Sequence, residues 1–394
     1  MSGIVALCVG YVLSQFYRSF LAVLVPYLSS ELAMTPAELA YASGAWFATF
    51  ALMQFPIGAW LDRHGPRRTA AYLHGFAGAG GAALFALAQS PLHVIVAMGL
   101  IGIGCAPVLM ASFFLFARGY SAAQFATLGS TFIAVGSLGN IAGSAPLALA
   151  VEIFGWRASL WMLCVVTLIT ALAILFVVRD PPQEEGGSGG QAGSYLELLS
   201  IRALWPILPC IFVGYSISAG IRGLWVGPYL RDVHGLGGAE IGSAALVMAI
   251  ALAAGALFYG PMDRIFNSRK WVVFGGNSVV VLAVAALALA PRMPVAGATA
   301  AFVAIGIFGA SYAVLMTHGK SFVPARMTGR GVTLMNFFSI GGAGALQIVT
   351  GNIVDGLGRE GNWETAYSAL FGFYAITLAV ALAIYLFSRD AKPA

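Results

Sequence analysis

The sequence predicts an all-α membrane protein of twelve transmembrane helices, arranged as two pseudo-symmetric six-helix bundles. Three observations carry that prediction. The 394 residues are 60% hydrophobic and only 9% charged, with a mean hydropathy of +0.88, whereas a soluble domain carries about 25% charged residues. The few charges fall in short bursts between apolar stretches of roughly 20 residues, the length a helix needs to cross a bilayer. Residues of the second half also repeat residues of the first at a nearly constant offset.

Twelve spans are expected at about 4–28, 38–61, 69–89, 92–117, 127–151, 158–178, 205–229, 240–261, 271–291, 295–318, 331–355 and 364–388, broken where Gly, Pro and charges cluster. Met1 to Leu28 lacks a basic leader and a small-residue cleavage site, so it reads as a retained first helix. The one long polar stretch, Arg179 to Ser200, is rich in Gly, Ser and charge and reads as a flexible linker. The domains follow: an N-terminal bundle over 1–179, a cytoplasmic linker over 180–203 and a C-terminal bundle over 204–394. The 49 glycines suit close helix packing and the eight tryptophans the membrane interface. Cys8, Cys105, Cys164 and Cys210 lie far apart inside apolar spans and read as buried thiols.

Orientation follows from the basic residues. With the amino terminus inside, fourteen face the cytoplasm: Arg63, Arg67, Arg68, Arg118, Arg179, Arg202, Arg264, Arg269, Lys270, Lys320, Arg326, Arg330, Arg389 and Lys392. Four, Arg157, Arg231, Arg292 and Arg359, face outward. That asymmetry places both termini in the cytoplasm and the chain in a cell membrane, with a bacterial inner membrane expected. The basic balance therefore reports topology rather than a nucleic-acid partner.

The repeat pairs Tyr11 with Tyr215 and Arg18 with Arg222 at an offset of 204. It pairs Pro26-Tyr27-Leu28 with Pro228-Tyr229-Leu230, Glu38 with Glu240, Asp62-Arg63 with Asp263-Arg264, and Arg118 with Lys320 at offsets of 201 or 202. Parallel six-helix repeats describe a transporter design with its substrate site at the midplane between the halves.

The segment Gly58-Ala-Trp-Leu-Asp62-Arg63-His-Gly65-Pro-Arg67-Arg68 resembles the loop signature of the major facilitator superfamily between its second and third helices. A degenerate copy, Gly260-Pro-Met-Asp263-Arg264 followed by Arg269-Lys270, stands at the equivalent point of the second half. The resemblance covers the whole chain. It implies that Asp62 caps a neighbouring helix and that Asp62, Arg63, Arg67, Arg68, Asp263 and Arg264 form a gate at the cytoplasmic face. Charge-assisted bonds there can break and re-form at modest net energy.

Two of the twenty basic residues, Arg18 and Arg222, fall inside spans. An Arg near the centre of a membrane helix costs about 2.5–3.5 kcal/mol on translocon scales, so each needs a partner or a watery cavity. All fifteen acids lie in loops or near span ends, so the expected counter-charge is a transported anion, which two guanidinium forks suit. FYRSFLAVLVPYL resembles the first helix of the superfamily's organic-anion branches, the organophosphate antiporters and anion/cation symporters. That resemblance implies one anion-binding arginine on the first helix and one on the seventh. Here Ser19 follows Arg18 where glycerol-phosphate antiporters have a second basic residue, and 98–116 lacks the charges of the symporter branch's fourth helix.

Further substrate-contact candidates are Tyr11 and Tyr215, two turns before the arginines, with Asn140, Tyr312, His318 and Asn336 inside spans. Gln54 and Gln347 also sit inside spans, where an amide more often holds helices together than reads a ligand. Of the titratable groups, His318 is best placed to couple to protons. The alternatives are a proton-coupled multidrug or other solute exporter and a non-transporting nutrient sensor. An exporter calls for an acid within the membrane, and a sensor for an extension where only RDAKPA follows Ser388. A metal importer needs soft ligands at helical spacing, yet the twelve methionines hold no pair four apart. No nucleotide loop, triad or metal cluster points to an enzyme or a cofactor. The expected function is secondary active transport of a small organic anion, a carboxylate or phosphate-bearing metabolite, by alternating access. The expected partners are that anion, a coupling ion or proton, and the bilayer around a monomer.

Overall fold

A computed structural model describes residues 2–180, 195–324, 327–358 and 361–392. Most of the expected linker, with Arg326 and Arg359, lies outside the described residues. Among the described residues every regular element is helical. The first half holds α1 (Ser2–Phe16), α2 (Leu21–Glu31), α3 (Pro36–Tyr72), a π-helical stretch (Leu73–Ala79), α4 (Gly80–Ala86), α5 (Pro91–Gly119), α6 (Ala122–Gly136), α7 (Leu138–Ala142), α8 (Ala145–Phe154) and α9 (Trp156–Val177). The second holds α10 (Tyr195–Leu199), α11 (Leu208–Gly220), a π-helical stretch (Ile221–Trp225), α12 (Val226–His234), α13 (Gly238–Tyr259), α14 (Met262–Ile265), α15 (Arg269–Leu289), α16 (Val295–Gly309), α17 (Tyr312–Lys320), α18 (Thr328–Gly358) and α19 (Trp363–Tyr385).

Eight helical runs are long and apolar enough to cross a membrane, and two bent pairs bring the number to ten among the described residues. The expected second and third spans are helical too, but they run together. In α3 the helical dihedrals fail only at Gly65 (φ +78°, ψ 163°), just after Asp62-Arg63-His64. The charges at this joint make it a junction at the membrane surface rather than one long span.

The capping chemistry explains why Glu38 and Glu240 recur in the repeat. Thr35 Oγ1 accepts from the Glu38 N–H (3.2 Å) while Glu38 Oε2 accepts from the Thr35 N–H (2.9 Å), a reciprocal cap at the start of α3. Glu240 likewise accepts from the Gly237 N–H (2.9 Å) at the start of α13, without a return bond because Gly237 has no side chain.

The chain divides into two compact units, 1–186 with 237–246, and 187–236 with 247–394. The start of α13 thus groups with the first unit. In that unit Phe20 makes ring contacts with Phe16, Tyr17 and Phe85, and Phe85 with Trp156. In the second unit Tyr229 packs against Phe302, Tyr367 and Phe371. Each aromatic core includes residues of the segment that carries the unit's span-internal arginine, half-buried Arg18 or buried Arg222.

Candidate functional site

Arg18 and Arg222 each sit where an otherwise regular helix is interrupted. Arg18 lies in the turn between α1 and α2, which meet at 51°. There the Arg18 and Ser19 N–H groups bond to carbonyls three residues back, Gln15 (3.3 Å) and Phe16 (3.0 Å). Arg222 lies in the π-helical stretch between α11 and α12. At the second break the sequence supplies a cause in Pro228, which lacks an N–H and crowds the Leu224 carbonyl within the π-helical stretch, whereas Pro26 acts on Ala22, inside α2 and past the turn that holds Arg18. Pro26 follows Arg18 by eight positions and Pro228 follows Arg222 by six, so the repeat offset shifts from 204 to 202 here. The two breaks differ in geometry as that shift requires. π-Helical turns and interrupted membrane helices recur at ligand sites, because they aim side chains and backbone groups that a regular helix keeps to itself.

The first unit surrounds Arg18 with aromatic faces. Its guanidinium carbon lies 5.2 Å from the Trp46 ring centre and 4.8 Å from that of Phe50, and these two rings stack at 5.0 Å. A guanidinium held over ring faces gains cation–π attraction. Behind the turn, Gly139 and Gly143 of the α7 segment press on α1. A Cβ at Gly139 would overlap the Val12 carbonyl, and one at Gly143 would stand 2.7 Å from Ser19 Oγ. The glycine run of the fifth span is therefore a close-packing surface for the helix that positions Arg18.

In the second unit Arg222 is 4% exposed. Gly220, two residues earlier, faces the Tyr374 hydroxyl and Cγ of Gln347. Trp225 Nε1 donates to Thr350 Oγ1 (3.0 Å). Gln347 is wholly buried, and neither its amide nitrogen nor its oxygen has a hydrogen-bond partner among the described residues. Of the two roles open to an amide inside a span, holding helices together or reading a ligand, the first has no hydrogen bond here to support it. Ten residues, about 15 Å of helix, beyond Arg222, Asp232 is engaged by Arg231 Nε (2.6 Å) and the Tyr367 hydroxyl (2.8 Å).

The remaining candidates are placed as follows. Tyr11 is buried, stacks on Phe132 at 5.1 Å and accepts from Gln15 Nε2 (2.7 Å). Tyr215 and Tyr312 are half-buried and meet at 5.0 Å between ring centres. Asn140 is buried in α7, where the fifth span bends by 41°. Asn336 is half-buried on α18. His318 is buried, with Nδ1 2.6 Å from the Tyr385 hydroxyl and Nε2 2.9 Å from the Arg389 carbonyl. Those partners assign the proton to Nε2 and make the ring a tie between α17 and the end of α19.

The loop signature holds a different cap from the one expected. Asp62, Arg63 and Arg68 are exposed, and it is Asp180 that reaches the helix restarting at Pro66. Asp180 Oδ1 accepts from the Arg67 N–H (2.8 Å), and Oδ2 lies 3.5 Å from Arg67 Nε. Gly65 is required twice over, by its positive φ and because a Cβ would stand 2.7 Å from Asp180 Cγ. The second unit repeats the device. Asp390 Oδ1 accepts from the Lys270 N–H (2.9 Å) and Oδ2 from Ser268 Oγ (2.6 Å) at the start of α15. Partial burial pushes the Asp390 carboxyl up, but hydrogen bonds from Ser268, Lys270 and Arg269, with His318 nearby, outweigh it and hold the group below its ordinary value. Asp263 pairs with Arg269 Nε (3.2 Å), whose Nη1 donates to Ser321 Oγ (2.7 Å), while Arg264 is exposed.

The signal that sequence reading passed over is an Arg-Asp pair, 179–180 and 389–390, closing the sixth span of each half. Asp180→Asn should lower the melting temperature of the purified protein clearly more than Asp62→Asn, because only Asp180 accepts from a helix-terminal N–H, a bond worth about 1 kcal/mol. Equal shifts for the two variants would show that the clasp contributes nothing.

The profile of the Major Facilitator Superfamily matches residues 7–237, more than half of the chain. No curated protein matches the sequence. Among solved structures, a bacterial homologue of the human lysosomal transporter Spinster, inward-facing and occupied, superposes with a TM-score of 0.77 at 20% identity, covering 98% of this chain and 96% of that one. A D-xylose–proton symporter superposes with a TM-score of 0.80 at 13% identity, covering 98% of each chain. The nucleoside transporter NupG does so at 0.77 and 15%, covering 98% and 99%. At these identities the structures share the fold alone. Profile and fold agree with the loop signature between the second and third spans, and the chain belongs to the Major Facilitator Superfamily of membrane transporters.

Proposed function

We propose that the protein is a secondary active transporter of a small organic anion, a carboxylate or a phosphate-bearing metabolite, that Arg18 and Arg222 bind that anion, and that transport runs by alternating access. The observation that carries this reading is the placement of both repeat-related arginines at helix interruptions, Arg18 over the Trp46 and Phe50 rings and Arg222 buried in a π-helical stretch. An interrupted helix is where this kind of architecture presents charge to a substrate. Two guanidinium groups in a medium of low dielectric attract an anion and repel a cation. Gln347, beside Gly220 in the Arg222 segment, supports a ligand there: a buried amide with donor and acceptor both unused is costly unless a ligand completes it. The xylose and nucleoside carriers share the scaffold, and cargo is set by side chains rather than by fold.

The test is thermal shift of the purified, full-length protein against matched organic anions and lipophilic cations. A ligand present at 100 times its Kd stabilises by about 2.7 kcal/mol, so a true substrate should raise the melting temperature by several degrees. Anions are expected to do so and cations not. Stabilisation by cations with no response to any anion would overturn the reading and favour an exporter.

A further inference from the structure

At the α3 joint the first unit carries a second concentration of positive charge, separate from Arg18. A cavity of about 250 Å³ is walled by Arg63, Arg67, Arg68 and Arg118, with Asp62 and Asp180 among its other lining groups. Four guanidinium groups face two carboxylates, and Asp180 is already committed to the Arg67 backbone and side chain. A net positive cavity remains, with Arg118 braced over the Phe114 ring at 4.3 Å. The helix that restarts at Pro66 adds the positive end of its dipole to the same wall.

A second cavity of about 340 Å³ adjoins the first and shares His64 and Arg68 with it. Its other walls are Trp60, Thr69, Tyr72 and Leu73. Trp60 is 38% exposed and Tyr72 51% exposed, and Phe76, one turn further, is 82% exposed. Trp and Tyr with open faces at a charged helix junction match the boundary between headgroups and acyl chains. The pair of cavities is therefore amphipathic, with a cationic compartment opening beside an aromatic one.

We propose that these joined cavities bind an anionic phospholipid, with the phosphate among Arg63, Arg68 and Arg118 and the glycerol and upper acyl carbons against Trp60 and Tyr72. Charge complementarity selects an anionic over a zwitterionic headgroup, because a choline or ethanolamine cation would meet the same arginines. The aromatic compartment selects a lipid over a soluble phosphate. Since the cationic wall is built on the Gly65 joint, an occupied site ties the bilayer to the segment between the second and third spans. This inference is independent of what Arg18 and Arg222 transport.

Short-chain phosphatidylglycerol, short-chain phosphatidylcholine and inorganic phosphate are titrated against the purified full-length protein, with bound ligand counted by native mass spectrometry. Phosphatidylglycerol should bind on the order of 100-fold more tightly than phosphatidylcholine, as about 1 kcal/mol for each of Arg63, Arg68 and Arg118 implies. Arg68→Gln should reduce that preference by about fivefold, Arg68→Lys should keep most of it, and Trp60→Ala should weaken both lipids while leaving inorganic phosphate unchanged. If Arg68→Gln does not fold, Arg68→Lys and Trp60→Ala still carry the test. Equal binding of the two lipids, or a phosphatidylglycerol preference untouched by Arg68→Gln, overturns the proposal. Phosphate binding as tight as that of the lipid, with Trp60→Ala silent, also overturns it and identifies a soluble-anion site.

Discussion

Arg18→Lys and Arg222→Lys should each lower transport of the anion identified by thermal shift about 10- to 100-fold, the range set by one charge-assisted hydrogen bond, while the protein still folds. Lysine keeps the charge but replaces a planar fork with a point donor, so it forfeits two-point recognition of a carboxylate or phosphate. At Arg18 the loss includes the aromatic setting, because the guanidinium lies over Trp46 and Phe50 and a more strongly hydrated ammonium sits less well there. The break between α1 and α2 is made by backbone bonds at Gln15 and Phe16 and does not depend on the guanidinium, which is why folding should survive. Proteoliposome uptake and melting temperature, measured on the same preparations, separate the two effects. Uptake at the native rate by either Lys variant would remove that arginine from the site.

Composition and periodicity made the helical membrane class legible, since apolar stretches of bilayer length have no other stable form. The repeat was legible wherever it rested on residues with a local job, and Glu38 and Glu240 recur because each caps its own helix. What sequence reading missed depends on distant partners. Asp180 and Asp390 end one span and cap another, more than a hundred residues away in the chain, and a local motif search weighs Asp62 instead because it sits within the recognised signature. The two roles open to Gln347 could not be separated for a related reason, as spacing cannot tell an amide that bonds a neighbouring helix from one that bonds nothing. The breaks at Arg18 and Arg222 were in principle readable from the change of repeat offset between arginine and proline. That cue locates a distortion without saying that one half would form a tight turn and the other a π-helical stretch.

Gly139→Ala and Gly275→Ala make the same chemical change on two membrane helices and should have opposite consequences. At Gly275 a Cβ would meet nothing within 4 Å, so alanine should leave stability unchanged or raise it by up to about 1 kcal/mol through helix propensity. At Gly139 the Cβ would overlap the Val12 carbonyl and press on the Phe16 N–H, and backbone atoms cannot rotate away as a side chain can. The fifth span must then retreat from α1, at a cost of about 1–3 kcal/mol for overpacking. Because Phe16 opens the turn that carries Arg18, the displacement should reach the proposed anion site as well. Gly139→Ala is therefore expected to lower the melting temperature and weaken anion binding together, whereas Gly275→Ala should change neither adversely. A Gly139→Ala protein as stable as the native one would mean that the close approach to α1 is incidental. A loss of stability with anion affinity intact would mean that the turn holds Arg18 in place without support from the fifth span.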